Sequence, residues 1–167
     1  YAMRPMADRP VWIGYDPNGA SGKGDSGAIS VNAAPLIPGG KFRTIETIRV
    51  RGMEFEAQAA MIINMLTRYN VQHIGIDGSG IGEAVYQLVK KRFPAAVCYQ
   101  FSPASKRMLV LKMLQLVRAG RWEYDRGEYD LITAFSAVRK VVTPGGVITY
   151  DTDRARGVSH GDLAWAT

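Results

Sequence analysis

Val11-Trp12-Ile13-Gly14-Tyr15-Asp16 decides how the chain folds. Mostly apolar residues run into one carboxylate, and Pro17, Asn18 and Gly19 then break the run. The pattern predicts a buried strand that delivers an aspartate to the end of a sheet. A second stretch repeats the plan. Val71-Gln72-His73-Ile74-Gly75-Ile76-Asp77 leads into Gly78-Ser79-Gly80. Side chains alternate along a strand. Asp16 therefore shares a face with Gly14 and Trp12, and Asp77 with Gly75 and His73. Each carboxylate has a glycine two residues back, which leaves room for an ion, a substrate or a closely packed helix.

Outward from these strands, residues 26–34 and 41–51 read as two more, separated by the turn residues Pro35, Pro38, Gly39 and Gly40. Three strands with short links predict an antiparallel meander. From position 54 the period changes. Phe55, Ala59, Ile62, Ile63, Leu66 and Tyr69 recur at helical spacing. Helix 81–93, strand 96–101 and helix 106–119 follow. The last has an apolar stripe of Leu109, Val110, Met113, Leu114, Leu116 and Val117, and Ser102 or Ser105 beside Pro103 can cap it. A short extended piece at 121–124, a helix at 128–138 and a hairpin around Pro144-Gly145-Gly146 come next. Ser159 is a candidate cap for a last helix that the chain stops inside. Strand–helix alternation after Tyr69 implies right-handed crossovers and parallel strands. The expected class is α/β, a mixed sheet with helices on both faces. Residues 1–10 read as a flexible lead-in or tag remnant, and 11–167 as one domain.

The 167 residues are 47% hydrophobic and 22% charged, which predicts a folded chain. Cys98 is the only cysteine, so an internal disulfide and a cysteine zinc site are excluded. No apolar run approaches the roughly 18 residues that span a bilayer, and no membrane partner is expected. The net charge is +6. Its placement is uneven: Lys90, Lys91, Arg92, Lys106, Arg107, Lys112, Arg118 and Arg121 face Glu83 alone between positions 81 and 121. Such a surplus attracts polyanions, nucleic acid first.

Near the end, Ser159-His160-Gly161-Asp162 opens an apolar segment. If Asp16 and Asp77 end adjacent strands, their repulsion must be relieved by a proton, a basic group or a metal. Carboxylate oxygens suit Mg²⁺ or Mn²⁺. With Asp162 added, three carboxylates can hold two such ions about 4 Å apart, an arrangement suited to phosphodiester hydrolysis. Asp162 is equally explained as a first-turn helix carboxylate. His160 reads as a loop residue, a metal ligand or a phosphate contact. Asp25 reads as a turn-former or an auxiliary acid, and Glu83 as a helix N-terminal carboxylate. The 19–24 glycine loop is no P-loop, because Pro17 and Gly24 stand where Gly and Ser or Thr are required. Gly78–Gly82 either binds a phosphate at a helix start or makes a tight turn.

Val-Trp-Ile-Gly-Tyr-Asp-Pro, Ile-Gly-Ile-Asp-Gly-Ser-Gly-Ile-Gly, Ser-Pro-Ala-Ser-Lys-Arg-Met and Ser-His-Gly-Asp-Leu-Ala-Trp-Ala together resemble the nuclease domain of tailed-phage large terminase subunits, of the P2-like type. The resemblance spans about residues 10–167. It implies a ribonuclease H-like fold and a metal-dependent endonuclease that cuts concatemeric DNA at packaging. It assigns the acids to Asp16, Asp77 and Asp162, with Asp77 where many relatives carry glutamate. It implies double-stranded DNA, the terminase small subunit and the procapsid portal as partners, an N-terminal ATPase motor domain in the full chain, and the host cytoplasm as location. Under this reading Asp16 bridges two ions, Asp77 and Asp162 hold one each, and Lys106, Arg107, Arg139 and Lys140 meet phosphates. Two other readings stay open: an actin-like or sugar-kinase-type nucleotide-binding domain, and a DNA-binding module with structural carboxylates.

Overall fold

The first strand, β1 (Pro10–Asp16), lies in the middle of the sheet. The computed structural model describes residues 4–17, 26–152 and 161–167. β1 pairs antiparallel with β2 (Gly27–Ala33), and β2 with β3 (Phe42–Val50), which is the expected meander. α1 (Phe55–Arg68) crosses over to β4 (Asn70–Asp77), which pairs parallel with β1 on its other side. α2 (Gly82–Lys90) then leads to β5 (Val97–Tyr99), parallel to β4. After α3 (Pro103–Arg118), β6 (Trp122–Glu123) adds a parallel edge to β3. The sheet order is β5-β4-β1-β2-β3-β6. α4 (Tyr129–Ala137), the hairpin β7 (Val138–Val142) and β8 (Ile148–Thr152), and α5 (Asp162–Ala166) complete the fold.

Burial follows the alternation of β1. Val11, Ile13 and Tyr15 are buried in the main core with α1 and α2, whereas Trp12 is 41% exposed. The opposite face carries a smaller core of Ala28, Leu131, Ala134, Leu163 and Ala166, drawn from β2, α4 and α5. Covered from both sides, β2 is buried at all seven positions and loses the alternation of its neighbours. The sheet is thus mixed and flanked by helices on both faces, as expected. Among the described residues no helix is long and apolar enough to cross a membrane.

Two expectations need correction. The stripe expected on α3 is not core: no α3 residue is buried, and Leu114 and Val117 are exposed. The helix packs on β8 of the hairpin rather than on the sheet. Its start is as expected, with Ser102 Oγ accepting the Ser105 N–H at 3.1 Å and Pro103 opening the first turn. The last helix has Gly161 at its cap position rather than Ser159, which lies outside the described residues. The expected lead-in, from Arg4 onward, makes contacts with the rest of the chain. Met6 packs on the main core, Asn70 Nδ2 donates to the Asp8 carbonyl at 2.7 Å, and Arg9 Nε donates to the Ala34 carbonyl at 2.9 Å.

The interior also predicts behaviour in alkali. Tyr15 is buried and its hydroxyl donates to Gln58 Oε1. Burial, reinforced by the Asp16 charge, pushes the Tyr15 phenol far above its usual 10. Burial and the Glu46 carboxylate push Tyr69 up to about 12. The unfolded chain therefore ionises first, so this stabilisation is complete below pH 10 and is lost as pH rises from 10 through the folded values. Tyr15→Phe is expected to cost about 1–2 kcal/mol at pH 7, because it leaves the Gln58 carbonyl without that donor. It should also flatten the loss of stability above pH 10. Urea melts at pH 7 and pH 10.5 check both effects.

Candidate active site

Asp16 and Asp77 come together through strand register. β1 and β4 run parallel with Gly14 opposite Gly75 and Tyr15 opposite Ile76. The next rung sets Asp16 beside Asp77, the last residues of their strands, on strands about 4.8 Å apart. On one side the rung continues to Tyr99 of β5, on the other to Ala28 of β2. Both carboxylates are half-buried. Asp77 Oδ1 accepts the Ser79 N–H at 2.9 Å, so the Gly78-Ser79 turn orients that carboxylate. Two carboxylate charges on neighbouring strand ends repel each other. Such repulsion is relieved by a proton, a basic group or a cation.

The room expected beside each glycine is filled. A Cβ on Gly14 would collide with the Ala166 carbonyl oxygen and lie 2.8 Å from its carbonyl carbon. A Cβ on Gly75 would lie 2.7 Å from Cε2 of the Tyr99 ring. Neither glycine leaves space for an ion. Gly14 instead lets the backbone of α5 lie directly on β1, on the face that carries Asp16. The C-terminal end of α5 is fixed at the Gly14–Ser30 rung, where the Thr167 and Ser30 hydroxyls are hydrogen-bonded at 2.9 Å. Asp162, its first residue, belongs to the same face of the sheet. Gly82 plays a similar part at α2: a Cβ there would lie 2.8 Å from the Asp77 carbonyl carbon.

Two groups on β4 and the elements next to it carry no motif. Cys98 Sγ donates to Glu83 Oε2 at 3.3 Å, and Gln87 Nε2 donates to Glu83 Oε1 at 2.6 Å. The Gln87 and Cys98 bonds lower the Glu83 carboxyl, while burial and the Glu83 charge raise the Cys98 thiol. Glu83 is thus a hydrogen-bonded partner of the β5 thiol as well as a first-turn carboxylate. His73, on the Asp77 face, has Nε2 3.4 Å from the Tyr99 hydroxyl, and burial holds it below its usual 6.5. Among the described residues no three His, Cys, Asp or Glu side chains form a ready metal cage.

The four basic candidates separate. Arg107 and Lys140 are exposed, Arg107 on a shallow groove with Met108, Leu111 and Val147 between α3 and the hairpin. Arg139 turns back onto the Ser136 and Val138 carbonyls at the end of α4. Lys106 Nζ is 3.3 Å from Asp151 Oδ1 and 5.0 Å from the centre of the Trp165 ring. Asp25 and His160 lie outside the described residues.

Residues 13–167 match the family model described as the terminase RNaseH-like domain. The chain belongs to this family. The "Terminase, ATPase subunit" of Escherichia phage P2 is 44% identical to it over 168 residues, which cover 100% of this chain and 28% of that protein. The "Probable terminase, ATPase subunit" of Haemophilus phage HP1 is 34% identical over 169 residues, 99% of this chain and 27% of that protein. The terminase domain thus spans little more than a quarter of these relatives. Its fold matches the magnesium-bound large terminase nuclease of thermophilic phage G20c with a TM-score of 0.76 at 19% identity, over 96% of this chain and 79% of that one. The ribonuclease H-like architecture expected for the terminase domain is therefore the one it has.

Proposed function

We propose that this domain is a divalent-metal-dependent endonuclease that hydrolyses phosphodiester bonds of concatemeric double-stranded DNA during phage genome packaging. The observation that carries the reading is the register that sets Asp16 beside Asp77 on neighbouring strand ends. Their oxygens are a hard donor set. Mg²⁺ is commonly held by one or two carboxylates with waters and substrate phosphates rather than by an all-protein cage, so the pair fits Mg²⁺ or Mn²⁺ without a third preformed ligand. Asp162 supplies the third carboxylate. α5 rises about 1.5 Å per residue and β1 about 3.3 Å, so four helical residues match the two strand residues from Gly14 to Asp16.

Two bound ions would lower the pKa of the attacking water and stabilise the leaving oxygen. The chain's residues prepare that chemistry. Asp16, Asp77 and Asp162 would hold the ions, with Asp77 aimed by the Ser79 N–H and Asp162 brought to the group by α5. Arg107 and Lys140 hold the DNA by its phosphates and fix its register without reading sequence. The relatives named as ATPase subunits are far longer, which supports a packaging motor elsewhere in the polypeptide. The small terminase subunit and the procapsid portal are the proposed partners, in the host cytoplasm.

Plasmid nicking tests this. The 167-residue chain is expected to relax supercoiled DNA with Mn²⁺ or Mg²⁺, to stop in EDTA, and to lose activity in Asp77→Ala and Asp162→Ala. If both variants cut like the parent, the site is misassigned. Salt-sensitive DNA binding with no response to divalent ions would point instead to a binding module.

A further inference from the structure

Lys106 is in an unfavourable place for a lysine. It lies in the first turns of α3, where the helix dipole disfavours a cation and where no acidic residue compensates within the first turn. Yet its side chain is only 20% exposed. Two elements, β8 and α5, hold its ammonium. Asp151 Oδ1, on β8, lies 3.3 Å away and also accepts the Thr152 N–H at 3.0 Å, which pins the carboxylate. The Trp165 ring of α5 lies 5.0 Å below the ammonium and packs against Phe101, ring centres 5.6 Å apart. The hairpin is docked on the start of α3, with Thr149 Oγ1 donating to the Pro103 carbonyl at 3.3 Å. β8 also touches the start of α5: a Cβ on Gly161 would lie 2.6 Å from Thr152 Oγ1. Trp165 is three residues beyond Asp162, hence on the same side of α5.

We propose that Asp151 is a positioning residue: with the Trp165 ring it clamps the Lys106 ammonium at the Asp162 end of the acidic face and so couples the β7–β8 hairpin to that face. This rests on the nuclease reading above for its catalytic consequence, but the clamp itself stands on the contacts. An incoming phosphate has to compete with Asp151 for Lys106. Asp151 therefore weakens general DNA binding while it holds Lys106 where a phosphate bound at the acids meets it. An ion pair with one partner half-exposed contributes little to stability, so its loss should show in function rather than in folding.

The test uses Asp151→Asn, Asp151→Glu and Lys106→Gln in the 167-residue chain. Binding to a linear duplex is measured in EDTA against salt, and nicking is measured with Mn²⁺. Asp151→Asn is expected to bind DNA about threefold more tightly and to steepen the slope of log K against log salt by about one, the value of one added phosphate contact. Its kcat should fall about 10–100-fold, the range for residues that orient a functional group, with KM unchanged or lower. Asp151→Glu should restore both. In the Lys106→Gln background Asp151→Asn should leave the salt slope unchanged, because the pair is already broken. The proposal is overturned if Asp151→Asn keeps the parental slope and kcat, or if its effect on binding is the same with and without Lys106. Should the parent not cut DNA at all, the nuclease reading fails, and the binding measurements alone decide the clamp.

Discussion

Asp16→Asn is expected to lower plasmid cleavage by at least about 1,000-fold, beyond the ~10–100-fold typical of residues that only support a metal ligand. Asparagine keeps the shape of the side chain, so the half-buried position at the end of β1 stays filled. It loses the charge that the proposed metal site requires of Asp16. Folding and metal binding should therefore separate. In EDTA the variant should melt within a few degrees of the parent. In Mn²⁺ at about 100 times its Kd, a ligand that binds only the folded chain stabilises it by about 2.7 kcal/mol. For a domain of this size that corresponds to a rise in Tm of roughly 5–10 °C. The parent should show the rise and Asp16→Asn should not. A variant that still gains stability from Mn²⁺ and still cuts would remove Asp16 from the site. A variant that melts far below the parent in EDTA would show that the carboxylate serves the fold.

The sequence made this site legible in one direction and not in another. The strand ends could be read because each acid follows alternating apolar residues and precedes a breaker, Pro17 in one case and Gly78 in the other. Val11, Ile13 and Tyr15 turned inward and Trp12 outward as the alternation required. The pairing of β1 with β4 was only a condition at that level, because α1 links β4 to β3, which lies on the far side of β1 and β2 in the sheet. What could not be read were partners remote in the chain. Gly14 and Gly75 announced close approach, but nothing near them named Ala166 or Tyr99 as the neighbour. The α3 stripe has helical period, and period does not say which surface covers a helix; here it is the hairpin. Lys106 and Asp151 are 45 residues apart, and the Glu83–Cys98 bond joins α2 to β5. α5 is five residues long, too short for a period to fix its start, so a serine that could cap it drew the boundary too early.

Gly14→Ala should be one of the most damaging single methyls among the described residues. The added carbon meets the backbone of Ala166, which cannot turn aside as a side chain can. Either β1 or α5 must move. β1 is paired on both sides in the middle of the sheet, whereas α5 is one short helix held by Leu163, Ala166 and the Thr167–Ser30 bond. The helix should yield, and Asp162 should move with it. Overpacking of this kind costs about 1–3 kcal/mol, against which the lower entropy of the unfolded alanine chain returns about 0.4–1 kcal/mol. Nicking measured well below the melting temperature should nevertheless fall at least about tenfold, because misplacing a ligand by an ångström costs rate even in a folded enzyme. Two further variants grade the argument. Gly75→Ala meets the Tyr99 ring, which can swing toward solvent, so its effect should be smaller. Gly145→Ala, in the hairpin turn, has nothing within 4 Å and should be neutral. If Gly14→Ala melts and cuts like Gly145→Ala, α5 is not seated on β1 as described, and Asp162 loses its structural reason to approach Asp16.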